Sequence, residues 1–341
     1  MDIVLDLFET LIGDHVYSRI LPAQLVYSNA QSSSNGSAIG GLSCHYEPAT
    51  KFFSITPSQA ACMSAWPREN IYRQSINLFL IPWIFGLAVY FIFASLSYIF
   101  IFDKEMKNHP KYLKNQVWLE IRQATIAMPG MSLLMLPLVL GEVRGYSKMY
   151  DTSADGPGRW YDIAQFPLFL LFTDFCIYWI HRGLHHPSIY KTLHKSHHKW
   201  IIPTPYAAYA FHPADGFAQA LPYYIFPFLF PLQKLAYIFF FVFVNFWSIL
   251  IHDGEYMADN PIINGAACHT LHHWHFRCNY GQYSTLWDRV WGSYKRPDEE
   301  LFARELKKSH AAWEKQSREV EVVVGEVEGV DDRTYEGKKD I

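Results

Sequence analysis

The chain has 341 residues, with 29 Lys and Arg against 32 Asp and Glu and a formal net charge of −3, a balance that offers nucleic acid no basic surface. Half the residues are hydrophobic and 17% are aromatic, yet the mean hydropathy is only −0.03, because 21 of the 61 charged side chains fall in residues 297–341. Without that polar end the body is too apolar for an ordinary soluble protein.

Residues 1–75 begin acidic and lack the basic start of a cleavable signal peptide, so the first span is expected to target the chain. The sequon Asn35-Gly36-Ser37 is usable only in a lumen, and residues 1–75 are expected to form a lumenal N-terminal region. The five cysteines (Cys44, Cys62, Cys176, Cys268, Cys278) form no C-x-x-C pair. They are expected to be small apolar packing residues, with neither a disulfide framework nor a thiolate metal site.

From Ile76 to Phe102 run 27 residues without a charge, where about 20 cross a bilayer. Ala124–Gly141 is a second uncharged stretch, whose Pro129 and Pro137 are tolerable where neighbouring helices re-satisfy the backbone. Ala164–Ile180 is a third, interrupted only by Asp174. Gly216–Gln233 and Leu235–Ile251, separated by Lys234, read as a hairpin that spans the membrane or re-enters it.

Three spans and a returning hairpin put every histidine cluster on one side. Loop 103–123 carries five basic residues and loop 142–163 carries three, which makes the histidine side cytosolic. The charged tail 297–341 is expected to hold an amphipathic helix over 302–320 and then disordered chain. Its Lys338-Lys339-Asp340-Ile341 end resembles a dilysine retrieval signal of the endoplasmic reticulum, read on a cytosolic tail. The expected fold is all-α: a polytopic membrane helix bundle of four or five hydrophobic segments with a cytosolic histidine-rich di-metal cap.

Twelve of the 16 histidines lie between His181 and His275. Three clusters repeat one spacing: His181 with His185, then His194, His197 and His198, then His269, His272 and His273. On a helix, positions i, i+3 and i+4 share a face, so each cluster can aim its imidazoles at one point. Eight imidazoles exceed what one ion takes, so two metals with open positions for dioxygen are expected. His252, His212, His186 and His275 are possible additional ligands or supports. Asp174, on the helix face of Tyr178, His181 and His185, could accept the second ring N–H of a ligating histidine; Asp215, Asp253, Glu255 and Asp288 are further candidates. Ferritin-like Glu-x-x-His pairs and the H-E-x-x-H of zinc proteases are absent.

At these boxes the chain resembles the membrane-bound fatty-acid-hydroxylase superfamily of non-haem di-iron proteins. The stretches GEVRGYSKMYD (141–151), GPGRWYD (156–162), FTDFCIYWIHRGLHH (172–186), LHKSHHKWIIPTPYAAYAFHPADGFAQ (193–219), HDGEY (252–256) and NYGQYSTLWDR (279–289) are similar to the fungal sterol C-5 desaturases. Ser196 stands where that pattern has proline. The resemblance implies an endoplasmic reticulum enzyme that uses dioxygen to introduce the C5–C6 double bond into a Δ7-sterol in ergosterol synthesis. Electrons would come through cytochrome b5 and its NAD(P)H reductase, and two iron ions would be bound by the eight box histidines. Residues 76–296 would be the membrane and di-iron catalytic domain. A cavity open to membrane lipid, lined from segments such as Tyr223–Phe230 and Phe239–Trp247, would admit the sterol, and Lys191, Lys195 and Lys199 could attract an acidic electron donor. The boxes alone equally admit a sterol C-4 methyl oxidase or lipid hydroxylase. A histidine-rich metal transporter is a third reading, but it would place its ligands within the spans.

Overall fold

The computed structural model describes residues 1–23, 46, 48–54, 56–256, 260–302 and 308–336. The sequon and the terminal lysines lie outside the described residues. The chain folds as an all-α membrane bundle, whose only paired strands among the described residues are two of two residues each.

Two short helices, α1 (Asp2–Phe8) and α2 (Asp14–Ile20), precede the first long one, α3 (Ile71–Phe100), which the Asn70 side chain caps by accepting from the amides of Tyr72 and Arg73. α4 (Gln116–Gly141) and α5 (Arg159–Leu184) are the other two helices long and apolar enough to cross a membrane. Their outward faces carry Ile84, Phe91, Ile92, Leu133, Ile163 and Leu171, all exposed, as a lipid solvent requires. The inward faces carry small or hydrogen-bonded groups. The Ser132 hydroxyl donates to the Phe79 carbonyl at 2.6 Å, and a Cβ on Gly130 would stand 2.8 Å from that of Pro213, the first residue of α7 (Pro213–Leu229).

The expected hairpin is α7 and α8 (Lys234–Leu250), 17 residues each. Its turn is tied to the α4–α5 loop by the parallel strands β1 (Met149–Tyr150) and β2 (Leu232–Gln233), with Met149 opposite Leu232. Beside that end of the bundle, α1 and α2 are held by ion pairs: buried Arg73 binds Glu9 and, at 2.7 Å, Asp14, while Arg68 binds Asp6 at 2.8 Å. The C-terminal ends of α3, α5 and α8 and the N-terminal ends of α4 and α7 form the opposite face. All the histidine boxes lie there, with the short helices α6 (Pro187–Leu193), α9 (Ala266–His275) and α10 (Leu286–Val290).

Two expectations are corrected. Cys62 is disulfide-bonded, a cross-link rather than the free packing residue expected, and no spacing motif marks it in the sequence. The tail helix α11 spans His310–Val327, and the described residues beyond it, 328–336, are held to the body, the Glu336 amide donating to the Tyr112 carbonyl at 3.1 Å. Trp313, Val320 and Val324 share one face of α11 and pack with Leu271, Trp274 and Phe276 of the α9 region. Charge density masked this stripe.

Candidate metal centre

Box residues come from elements of different kinds. His181 and His185 sit at the end of α5, and His269, His272 and His273 lie on α9. His194, His197 and His198 occupy a turn after α6. His252 follows α8 directly.

These nine side chains gather into two groups. His181, His185, His194, His198 and His272 form one, and His197, His252, His269 and His273 the other; within each, one nitrogen per ring lies within 4.8 Å of all the others. The second and third boxes are therefore split, contrary to the expectation that each box faces one point. Neighbouring residues on a helix diverge by about 100° around the axis, so His272 points to one group while His269 and His273, one turn apart, point to the other. The groups adjoin: the rings of His198 and His273 are 4.9 Å apart.

The Nε2 atoms of His185 and His272 are 3.2 Å apart, those of His198 and His185 3.1 Å, and those of His269 and His252 2.9 Å. Two bonds of about 2.1 Å meeting at a right angle would separate their nitrogens by about 3.0 Å. In the five-histidine group, the Nε2 atoms of His181 and His194 are buried and have no hydrogen-bond partner, while their Nδ1 atoms are anchored, His181 on the Tyr280 carbonyl at 3.0 Å and His194 on the Asp215 carboxylate at 2.8 Å. His272 Nδ1 is held by the Cys278 carbonyl at 2.7 Å, and His252 Nδ1 by the Ser248 carbonyl at 2.7 Å. An imidazole held at Nδ1 keeps its Nε2 lone pair free for a cation. Burial, reinforced by neighbouring imidazoles, pushes His197, His198, His269 and His272 well below the ordinary histidine range, and burial brings His252 down to about 4. These five rings are thus neutral donors, and the donor set fits a pair of metal ions.

The other candidates lie elsewhere. His186 and His212 are exposed N-caps of α6 and α7, and His275 contacts Lys295 at 2.7 Å. Asp174 touches no histidine. It accepts from the amides of Gln282 and Tyr283 and from the Ser284 hydroxyl, because α5 packs against that loop; it steadies the segment whose Tyr280 carbonyl holds His181. Asp288 grips the same loop through the Tyr280 and Gly281 amides. Asp215 meets a box ring, that of His194. The anchoring carbonyls of Tyr280, Cys278 and Ser248 carry no sequence signal, since any residue supplies one.

An internal cavity reaches the groups from within the bundle. Pro82 and Gly86 of α3, Met128 and Met135 of α4 and Phe240 of α8 line its apolar part, and His181, His197, His252 and His269 line its end. Tyr237 and Ser248, eleven residues apart on α8, both line it, a rise of about 16 Å. Of the aromatics expected to line it, Tyr223, Tyr224, Phe240 and Phe241 do so.

Residues 166–293, which contain all nine histidines, match the fatty acid hydroxylase family. A Neurospora crassa protein named as a probable Delta(7)-sterol 5(6)-desaturase is 61% identical over 98% of this chain and 98% of its own length. A Leptosphaeria maculans Delta(7)-sterol 5(6)-desaturase is 56% identical over 99% and 98%, and one from Aspergillus fumigatus is 57% identical over the whole of both chains. No solved structure matches. With identity at this level along its full length and the histidine groups inside the matched region, the chain belongs to the Delta(7)-sterol 5(6)-desaturases of the fatty acid hydroxylase family.

Proposed function

We propose that this chain is a sterol C-5 desaturase, an oxidoreductase that consumes dioxygen to introduce the C5–C6 double bond into a Δ7-sterol during sterol biosynthesis. One observation carries the reading: an apolar cavity within a membrane body ends on two adjoining groups of imidazoles, eight of the nine buried. A sterol is flat, apolar and dissolved in the bilayer, and the cavity walls of Met, Phe and Tyr suit it.

We assign two iron ions to the groups, one held by His181, His185, His194, His198 and His272 and the other by His197, His252, His269 and His273. Imidazole suits zinc and copper as well, but zinc has no redox chemistry. Bound there, the iron pair supplies, with dioxygen, the oxidant that an unactivated C–H bond demands. The protein's part is orientation. Asp215 fixes His194, the carbonyls of Tyr280, Cys278 and Ser248 fix His181, His272 and His252, and the apolar walls keep water from the reacting carbon.

Cytochrome b5 and its NAD(P)H reductase are the electron donors we assign, on the histidine side. Lys191 is exposed there, whereas Lys195 is engaged by Asp332 at 3.0 Å and Glu328 at 3.4 Å. We place the protein in the endoplasmic reticulum membrane, multi-pass, with the histidine side and C-terminus cytosolic. The basic loop 103–123 supports this, as does the disulfide at Cys62, in a turn packed on α2 at the other end of the bundle; disulfides persist in oxidising compartments.

Sterol profiling of fungal cells lacking their own C-5 desaturase tests the reading. The wild-type chain is expected to convert the accumulated Δ7-sterols, and His194→Ala is expected to fail. Δ7-sterols left unconverted by the wild-type chain, or full rescue by His194→Ala, would overturn it.

A further inference from the structure

The second box differs from the others in its main chain. On α5 and α9 the backbone groups are largely satisfied by helical hydrogen bonds, but His194–Lys199 form a turn, whose outer carbonyls need donors from elsewhere. For two of them the donor is Arg333. Its Nη2 donates to the His198 carbonyl at 2.9 Å and its Nε to the Lys199 carbonyl at 3.2 Å. The same guanidinium is clasped by Glu328 at 2.8 and 3.0 Å, with side chains only 1% and 0% exposed. Glu328 also accepts from the Tyr190 hydroxyl at 2.8 Å, and the Tyr190 ring stacks on His185 with centroids 5.5 Å apart.

A buried ion pair is a costly way to pack a tail, and apolar residues of similar volume would serve packing equally well. Only the planar fork of arginine grips two carbonyls and a carboxylate at once. His198 has particular need of this grip. His181, His194 and His272 are steered by partners on Nδ1, but His198 Nδ1 is buried without a partner, so its ring direction follows from its main chain and from its stacking on Phe276, with centroids 4.6 Å apart.

We infer that Arg333, clasped by Glu328, is a positioning residue that aims His198 into the five-histidine group, and that the C-terminal segment 308–336 is a working part of the metal centre. This rests on reading that group as a metal site. The test is titration of the purified, metal-free full-length protein with cobalt(II), followed by its visible absorption, with thermal unfolding measured in parallel. Wild type is expected to bind two ions. Arg333→Met is expected to weaken one of them by about 10- to 100-fold, the range for lost outer-shell partners, with an altered spectrum for that ion, and Arg333→Lys to recover part of the loss. Val324→Ala, which loosens α11 without touching Arg333, is expected to lower the unfolding temperature and leave both affinities alone. Two ions at wild-type affinity in Arg333→Met, or equal loss of both, would overturn the inference alone. A wild-type protein that binds no cobalt would overturn the metal reading beneath it. Should Arg333→Met fail to fold, Glu328→Gln is expected to weaken the same single ion, and unchanged binding there counts against the inference.

Discussion

The two histidine groups draw on the same boxes but are held in different ways. In the five-histidine group, three rings are fixed through Nδ1 by Tyr280, Asp215 and Cys278, and only His181 reaches the cavity wall. In the four-histidine group, His197, His252 and His269 all line the cavity. The first group is thus tied into the protein and the second is presented to the cavity. A membrane enzyme that acts on an inert carbon needs both, a rigid frame that keeps the ligand geometry and an open side where the substrate can lie.

Removing a ring from either group breaks the comparison most severely. His272→Ala and His252→Ala are each expected to abolish desaturation in the cell-based sterol assay and to reduce bound iron from two ions per chain towards one; two irons retained in His252→Ala would remove the four-histidine group as a metal site. A smaller effect separates the groups. Asp215→Asn keeps the side-chain volume but loses the carboxylate that orients His194, and should cost about 10- to 100-fold in metal affinity or rate, confined to the five-histidine ion. Equal weakening of both ions would show that the two groups are not independently supported.

The mildest test uses pH. Buried His109 sits outside both groups, bonded to Gln316 of α11 at 3.2 Å, and burial brings its pKa down to about 4. The unfolded chain takes up this proton near pH 6.5, and the folded chain only near 4, so the stability contributed is complete above 6.5 and is lost as pH falls towards 4. Denaturant unfolding of the metal-free protein should show this loss, and His109→Gln should remove a share of about 3 kcal/mol. Other groups share the acid sensitivity that remains, among them His252 and His275, both lowered by burial. An unchanged profile in His109→Gln would remove His109 from the effect.

How far the site could be read from the chain depended on the residue type that carries each role. Histidines at i, i+3 and i+4 are visible because imidazole is rare and its spacing follows the helix. His252 belongs to no box, but its place at the close of an apolar run on the histidine side ranks it above His212, His186 and His275. Asp174 drew attention as a charge within a span, yet it serves the 282–284 loop, because which carboxylate meets a ring depends on how α5 and α7 pack. Arg333 is one charge among many in a polar tail, and only the fold reveals it beneath His198.

By itself, then, the sequence determined that the chain is a helical membrane protein, that its histidine boxes share one face and that they exceed the needs of a single ion. Length and apolarity dictate spans, and the number of spans dictates sides, without reference to any contact. The tertiary structure alone decided how the boxes divide between two groups, which carbonyls and carboxylate meet the rings, and that Arg333 of the charged C-terminal segment lies against the second box. Those are matters of direction and distance between segments far apart in the chain, and a one-dimensional pattern of residue types does not encode them locally.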